Sequence, residues 1–221
     1  MKSSVAGLQP LKKLVDWPLA KRAYYAYLEK LKRDCKPIIP GFCATPADWA
    51  PGVVPISVIR ECPHILWHQY ARSVRVYAEL QIAQSAFALV VHKMAQARLR
   101  ELGASVEVYV ERLLPNGLRL VGRADAVLGD VVVEIKVRRP KGPDVLQAAA
   151  YAAALGLRRA ALLYPDYVRQ LAVTPRLARA AARALKMQYK AVTAPEPPPR
   201  PYLRCVNCAY KKLCDHWSRK E

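Results

Sequence analysis

The sequence is short of acid. Its 221 residues hold 17 Asp and Glu against 36 Lys and Arg, a formal charge of +19. Such an excess favours a polyanionic partner, nucleic acid first, over the plain alternative of a generally basic soluble protein. Long apolar runs are also missing, so no bilayer span and no membrane partner are expected. The stretch MKSSVAGLQPLKKLVDW lacks the apolar centre of a signal peptide, which leaves the cytoplasm as the expected location. Only two Asn are present, compatible with a thermophilic source. There is no internal repeat and no helicase motif.

What is present has a readable order. LAKRAYYAYLEKLKRD forms an amphipathic basic helix. Residues 36–55, rich in Pro and Gly, are expected to be irregular. Ser57 is placed to cap a short helix running into Cys62-Pro63. A longer helical region follows from Ile65 to Leu102, continuous or broken. The period then changes to two. ASVEVYVERLL, the turn at Pro115 to Gly117, LRLVGRADAVL, the turn at Gly129-Asp130 and residues 131–137 make a three-strand meander. GPDVLQAAAYAAALG is a helix with Asp144 near its start. Arg159 to Pro165 is a fourth strand and residues 174–191 are a basic helix. Ala194 to Pro201 is a polyproline-like linker to a cysteine-bearing tail. This order describes an α/β core with helices around a small mixed sheet.

The third strand poses the chemical question. VVVEIKVRRP is apolar enough to be buried, yet it carries Glu134 and Lys136. Buried charges need compensation. Two residues apart on a strand, the pair faces one side. Asp125 sits on the preceding strand, and the Gly129-Asp130 turn folds it back beside Glu134. Two carboxylates at adjacent strand ends suit a hard cation such as Mg²⁺ or Mn²⁺. With a lysine to orient a water or meet a phosphate charge, the set suits phosphodiester hydrolysis. A buried structural ion pair is the alternative, though such pairs rarely repay their desolvation and Asp125 would then have no role. His92, on an apolar helix, is either a core histidine or a further ligand. Gln147 and Tyr151, at i and i+4, share a helix face. They either position the attacked strand and its water or simply fill the core.

These residues carry a resemblance. A helical His, GRADAV, EIK and QAAAY, in that order, resemble the RecB-type branch of the PD-(D/E)xK nucleases over about residues 85–165. The resemblance implies a restriction-endonuclease-like α/β fold with a mixed central sheet flanked by helices. It implies a metal site of His92, Asp125, Glu134 and the carbonyl of Ile135, with Lys136, Gln147 and Tyr151 completing the catalytic set.

The cysteines extend it. Six cysteines in a cytosolic chain point to metal or redox chemistry more than to disulfides. CVNCAYKKLC presents Cys205, Cys208 and Cys214, and Cys62 is a distant fourth thiolate. Zn²⁺ and iron–sulfur centres both accept four thiolates. One centre joining these segments would close a long loop. The arrangement looks like the CRISPR-associated RecB-like iron–sulfur exonucleases, now over residues 56–217. His64 departs from it, since that family often has Arg after Cys-Pro. The family commonly carries a [4Fe–4S] cluster, while four thiolates would also hold [2Fe–2S]. Cys35 and Cys43 are expected to be ordinary free thiols, with a role as alternative ligands the other reading.

Three regions result: 1–84, helical and contributing one cluster cysteine; 85–192, the nuclease core; and 193–221, the linker and cysteine tail. The implied function is metal-dependent exonucleolysis of single-stranded DNA, chiefly 5′→3′, before CRISPR integration, with CRISPR integrase proteins as partners. The basic helices 11–33 and 174–190 are placed to steer the DNA backbone. Tyr24, Tyr25 and Tyr27 either stack bases or pack the helix. Two alternatives stand beside this: a RecB-like nuclease of recombination or repair, and a non-catalytic iron–sulfur or zinc DNA-binding module.

Overall fold

A computed structural model describes residues 8–40, 42–46, 50–114, 117–199, 208 and 210–218. The elements are α1 (Leu11–Leu14), α2 (Trp17–Asp34), β1 (Lys36–Ile39), β2 (Phe42–Pro46), β3 (Val53–Pro55), a 3-10 turn (Ile56–Arg60), α3 (Pro63–Ala71), β4 (Val74–Ala78), α4 (Glu79–Glu101), β5 (Ser105–Leu113), β6 (Arg119–Leu128), β7 (Val131–Ile135), α5 (Gly142–Ala154), β8 (Arg159–Leu163), β9 (Val168–Ala172), α6 (Pro175–Val192) and α7 (Lys211–Ser218).

The main sheet runs β3-β6-β7-β8-β9, with β5 on the other edge of β6. β7 and β8 are parallel, joined through α5, and the β5-β6-β7 meander is antiparallel. Every residue of β7 is buried, as a central strand covered on both faces must be. Val132, Ala160 and Leu162 pack with α5, α6 and the 3-10 turn. Val131, Val133, Ala161 and Leu163 pack on the opposite face with α1, α2 and α4. The result is three layers, helices on both sides of a mixed sheet. Helix starts follow local chemistry. Asp16 accepts from the Leu19 amide at 3.0 Å ahead of α2, and Thr174 accepts from the Leu177 amide at 3.2 Å ahead of α6. Each is followed by a proline in the first turn, where no amide hydrogen is needed.

Residues 36–55 depart from expectation. They are not irregular: β1 and β2 pair with each other and β2 pairs with β4 in a second, three-stranded sheet, while β3 joins the main sheet alongside β6. Prolines are tolerated because β1 and β3 are short strands at sheet edges. Cys35 and Cys43 are not free thiols. They form a disulfide, their Cα atoms 5.4 Å apart across the β1–β2 pair. The long helical region is broken: α3 ends at Ala71, Ser73 takes a positive φ of 48°, and β4 intervenes before α4. The short turn begins behind Pro55, and no side chain caps it, Ser57 included. β9, an antiparallel addition to β8, had no counterpart in the expected order. Among the described residues no helix is long and apolar enough to cross a membrane.

Candidate active site

The site begins as a fork in the sheet. On one edge of β6, residues 119–121 pair with β3 and residues 126–128 pair with β7. Residues 122–125 lie between the two partners. Asp125 ends that gap. Its Oδ2 accepts the amide hydrogen of Ile135 at 2.7 Å, a carboxylate standing in for a strand where β7 leaves β6.

The pleat also slips there. Ala124 belongs to the α5 side of the core and Ala126 to the α4 side, although strict alternation would put both on one face. On β5, Val106 pairs with Ala126 and Val108 with Ala124, but Glu107, the residue between them, does not pair with Asp125. Glu107 instead has φ +52°, a strained conformation for a residue with a side chain. The Asp125 carbonyl accepts from the side-chain amide of Gln96 at 3.2 Å, which also donates to Glu107 Oε1 at 2.7 Å. This slip lets one aspartate meet both layers. Its Oδ1 lies 3.2 Å from Nδ1 of His92 on α4.

Glu134 and Lys136 extend toward α5. Lys136 Nζ donates to Glu134 Oε2 at 2.8 Å and to Gln147 Oε1 at 3.0 Å, and all three side chains are buried. Glu134 Oε1 is also buried and has no hydrogen-bond partner among the described residues. Tyr151, one turn beyond Gln147, lies over Gly122. A Cβ at Gly122 would stand 2.8 Å from the tyrosine hydroxyl, so the glycine is required for this approach.

Electrostatics separate the carboxylates. Burial pushes Glu134 up to about 7, only partly offset by the Lys136 ammonium and reinforced by the charge of Asp125. Burial acts the same way on Asp125, but His92, Lys136 and the Ile135 amide outweigh it and hold that carboxyl below its usual value. For His92, desolvation is outweighed by the Asp125 charge and hydrogen bond, and its pKa is raised. Burial raises the Tyr151 hydroxyl, with the negative field of Glu134 and Asp125 adding to it, so the phenol stays protonated.

The structure thus brings Asp125, Glu134, Lys136, Gln147 and Tyr151 together between β6, β7 and α5, with His92 against Asp125. The fit to a divalent cation rests on Glu134 Oε1, a buried acceptor with its lone pairs unused beside a second carboxylate. Among the described residues no three His, Cys, Asp or Glu side chains are drawn together as a metal cluster. Gln96 and Glu107 were not singled out from the sequence, and Gly122 entered only as the first residue of GRADAV. Gln96, four residues after His92, was the detectable one, because i and i+4 share a helix face.

A second buried carboxylate lies one turn above Gln147. Asp144 is fully buried. Its Oδ1 is 2.7 Å from Arg138 Nη2, and its Oδ2 accepts from the Lys141 amide at 2.9 Å and the Tyr164 hydroxyl at 3.3 Å.

The cysteine region is partly visible. Cys62, at the start of α3, and Cys214, on α7, contribute to one apolar cluster with Phe42, Ile65, Val76 and Leu213. The Cys208 carbonyl accepts from the Lys211 amide at 3.1 Å as α7 starts. Cys205 lies outside the described residues, as do Pro115 and Asn116 of the expected turn. His64, the departure noted above, donates from Nδ1 to the Pro198 carbonyl at 2.8 Å and anchors the proline-rich segment to α3. Of the three tyrosines on α2, Tyr27 packs against the core and Tyr25 is exposed.

Comparisons with known proteins bear on the family and the fold. A family model described as the PD-(D/E)XK nuclease superfamily matches residues 58–215, well over half of the chain. No curated protein matches. Nine solved chains do, and one of them, described as "Crystal structure of SSO0001", has a TM-score of 0.51. It is 16% identical, covering 90% of this chain and 97% of its own, a likeness that speaks for the fold.

Proposed function

The chain belongs to the PD-(D/E)XK nuclease superfamily, and on that premise we propose that it is a Mg²⁺- or Mn²⁺-dependent exonuclease acting 5′→3′ on single-stranded DNA. Its proposed role is to trim DNA ends for CRISPR spacer acquisition in the cytoplasm, beside integrase proteins. The observation that carries the hydrolytic part is the buried, unpartnered Oε1 of Glu134 beside Lys136 and close to Asp125. Asp125, Glu134 and the Ile135 carbonyl are the groups that would hold the cation, with His92 behind Asp125. When bound, the cation supplies neutralisation of two carboxylates and a more acidic water. Lys136 has three ammonium hydrogens. Glu134 and Gln147 use two, and the third is assigned to the attacking water or a phosphate oxygen. Gln147 fixes the lysine, and Tyr151, protonated, offers a hydrogen bond to the strand.

The ordered set of a helical His, GRADAV, EIK and QAAAY supports the exonuclease branch, and the +19 charge supports a polyanionic substrate. Packing of Cys62 with Cys214 supports one four-thiolate centre with Cys205 and Cys208. We assign it as [4Fe–4S], with [2Fe–2S] the other outcome of iron and sulfide analysis on wild type. Loss of iron in Cys214→Ser is expected, and retention would remove the assignment.

The test of the central reading is cleavage of single-stranded DNA with Mn²⁺, labelled at each end in turn. Wild type should shorten the strand from its 5′ end, and Glu134→Ala should bind without cutting. Binding without cutting by both proteins would turn the reading toward a non-catalytic DNA-binding module.

A further inference from the structure

Asp144 is over-supplied with positive charge. Arg138 grips it through both terminal nitrogens, at 2.7 and 3.3 Å. Arg60, from the 3-10 turn, approaches with Nε at 3.5 Å, a charge contact rather than a close hydrogen bond. The Lys141 amide and the Tyr164 hydroxyl occupy the remaining acceptor positions. One carboxylate with two guanidinium groups leaves a net positive charge. The neighbouring acid, Glu61, is exposed and faces Arg75 as well as Arg60. Asp144 is sealed, but the arginines are not: their side chains are 33% and 27% exposed.

The position of this cluster is informative. Asp144, Gln147 and Tyr151 follow at i, i+3 and i+7 and share one stripe of α5. Gln147 holds Lys136, so the arginines stand about one helical turn, roughly 5 Å, further along the same stripe. Arg138 is also two residues beyond Lys136 on the chain leaving β7. A guanidinium has five donors in a planar fork suited to phosphate oxygens, and one clamped by a carboxylate is already oriented. Holding α5 in place would need only Arg138.

We propose that Arg60 and Arg138, braced on Asp144, form a phosphate clamp that holds the nucleic-acid strand at a phosphodiester next to the one being cut. This deepens the nuclease reading and rests on it. The clamp binds an anion the catalytic set does not touch, and it fixes the strand's register.

The experiment is binding of a short labelled single-stranded DNA to the full chain without divalent cation, across a salt series. Arg60→Gln should raise Kd about tenfold and flatten the log–log salt slope by about 0.7, the value for one phosphate contact on a single strand. Arg138→Gln should do the same. Arg60→Lys, which keeps the charge, should keep the slope. Arg60→Gln with wild-type melting, Kd and slope would overturn the clamp. If Arg138→Gln fails to fold, Arg60→Gln decides alone, because Asp144 then keeps its three closer partners. A wild type that does not bind DNA would bring down the nuclease reading itself. Wild-type binding with unchanged variants would bring down only the clamp.

Discussion

Two buried carboxylates on one side of the sheet are treated in opposite ways. Asp144 has donors at both oxygens and two arginines around it. Glu134 has a lysine on one oxygen and, among the described residues, no partner on the other. A fold that can saturate Asp144 has the means to saturate Glu134 a turn away. An acceptor left without a partner in the interior costs about 1–3 kcal/mol, a cost that the proposed cation would offset. The contrast separates a brace from a working site. The brace is complete within the chain, and the proposed site is the one that would take a cation from outside.

The largest expected effect comes from removing the working carboxylate. Glu134→Gln should lower cleavage by at least about a hundredfold, near 3 kcal/mol of transition-state stabilisation. The unfolding midpoint should move little, since the substitution removes a strained charge. A rate assay and a urea titration read the two halves.

Asp144→Asn should show the reverse pattern. Losing the charge that holds two guanidinium groups should cost about 3 kcal/mol of stability, seen as a lower urea midpoint. Cleavage per folded molecule should fall far less than for Glu134→Gln. Equal behaviour of the two variants would erase the distinction between brace and site.

Gly122→Ala sharpens the packing side. Its Cβ would sit 2.8 Å from the Tyr151 hydroxyl and 2.9 Å from Cε1. Overpacking of this kind costs about 1–3 kcal/mol. Adding Tyr151→Phe should restore part of the melting temperature, since the closest atom is then gone, but not the activity.

The pH effect is the smallest and has a definite sign. Glu134 is raised to about 7 in the fold, so between its ordinary value of 4.5 and about 7 the folded state binds more protons than the unfolded one. Metal-free stability should therefore fall as pH rises through that window. The His92–Asp125 pair adds a separate term. Raised His92 stabilises below its ordinary 6.5 and loses that as pH climbs through its folded value. Lowered Asp125 stabilises above 3.8 and loses that as pH drops through its own. Calorimetry of wild type and Glu134→Gln should show the first slope only in wild type.

The sequence carried much of this unevenly. β5 to β8 and α5 were legible because period-two alternation, two turns and a capped alanine-rich helix all agree. Asp125, Glu134, Lys136, Gln147 and Tyr151 were legible because spacing on a strand or helix fixes which residues share a face. The slip at Asp125 was not, since alternation is assumed when a strand is read, and a positive φ at Glu107 leaves no mark in composition. β1 and β3 were hidden by their prolines, which signal loops unless the strand is an edge. The Cys35–Cys43 bond depends on two backbones meeting, and a cysteine pair eight residues apart carries no sequence mark that separates a disulfide from two thiols. Arg60 and Arg138 reach Asp144 from two separate segments that only folding brings together.

The most direct test of the central claim is Mn²⁺ affinity, read from the signal of the free ion, for wild type and Glu134→Gln at pH 6 and pH 8. A ligand that titrates near 7 must release its proton to bind, so wild type should bind several-fold more tightly at the higher pH. Glu134→Gln should bind weakly and much less pH-dependently. Equal Mn²⁺ affinity in the two proteins at both pH values would contradict the account, because the empty oxygen of Glu134 would then have no part in holding a cation.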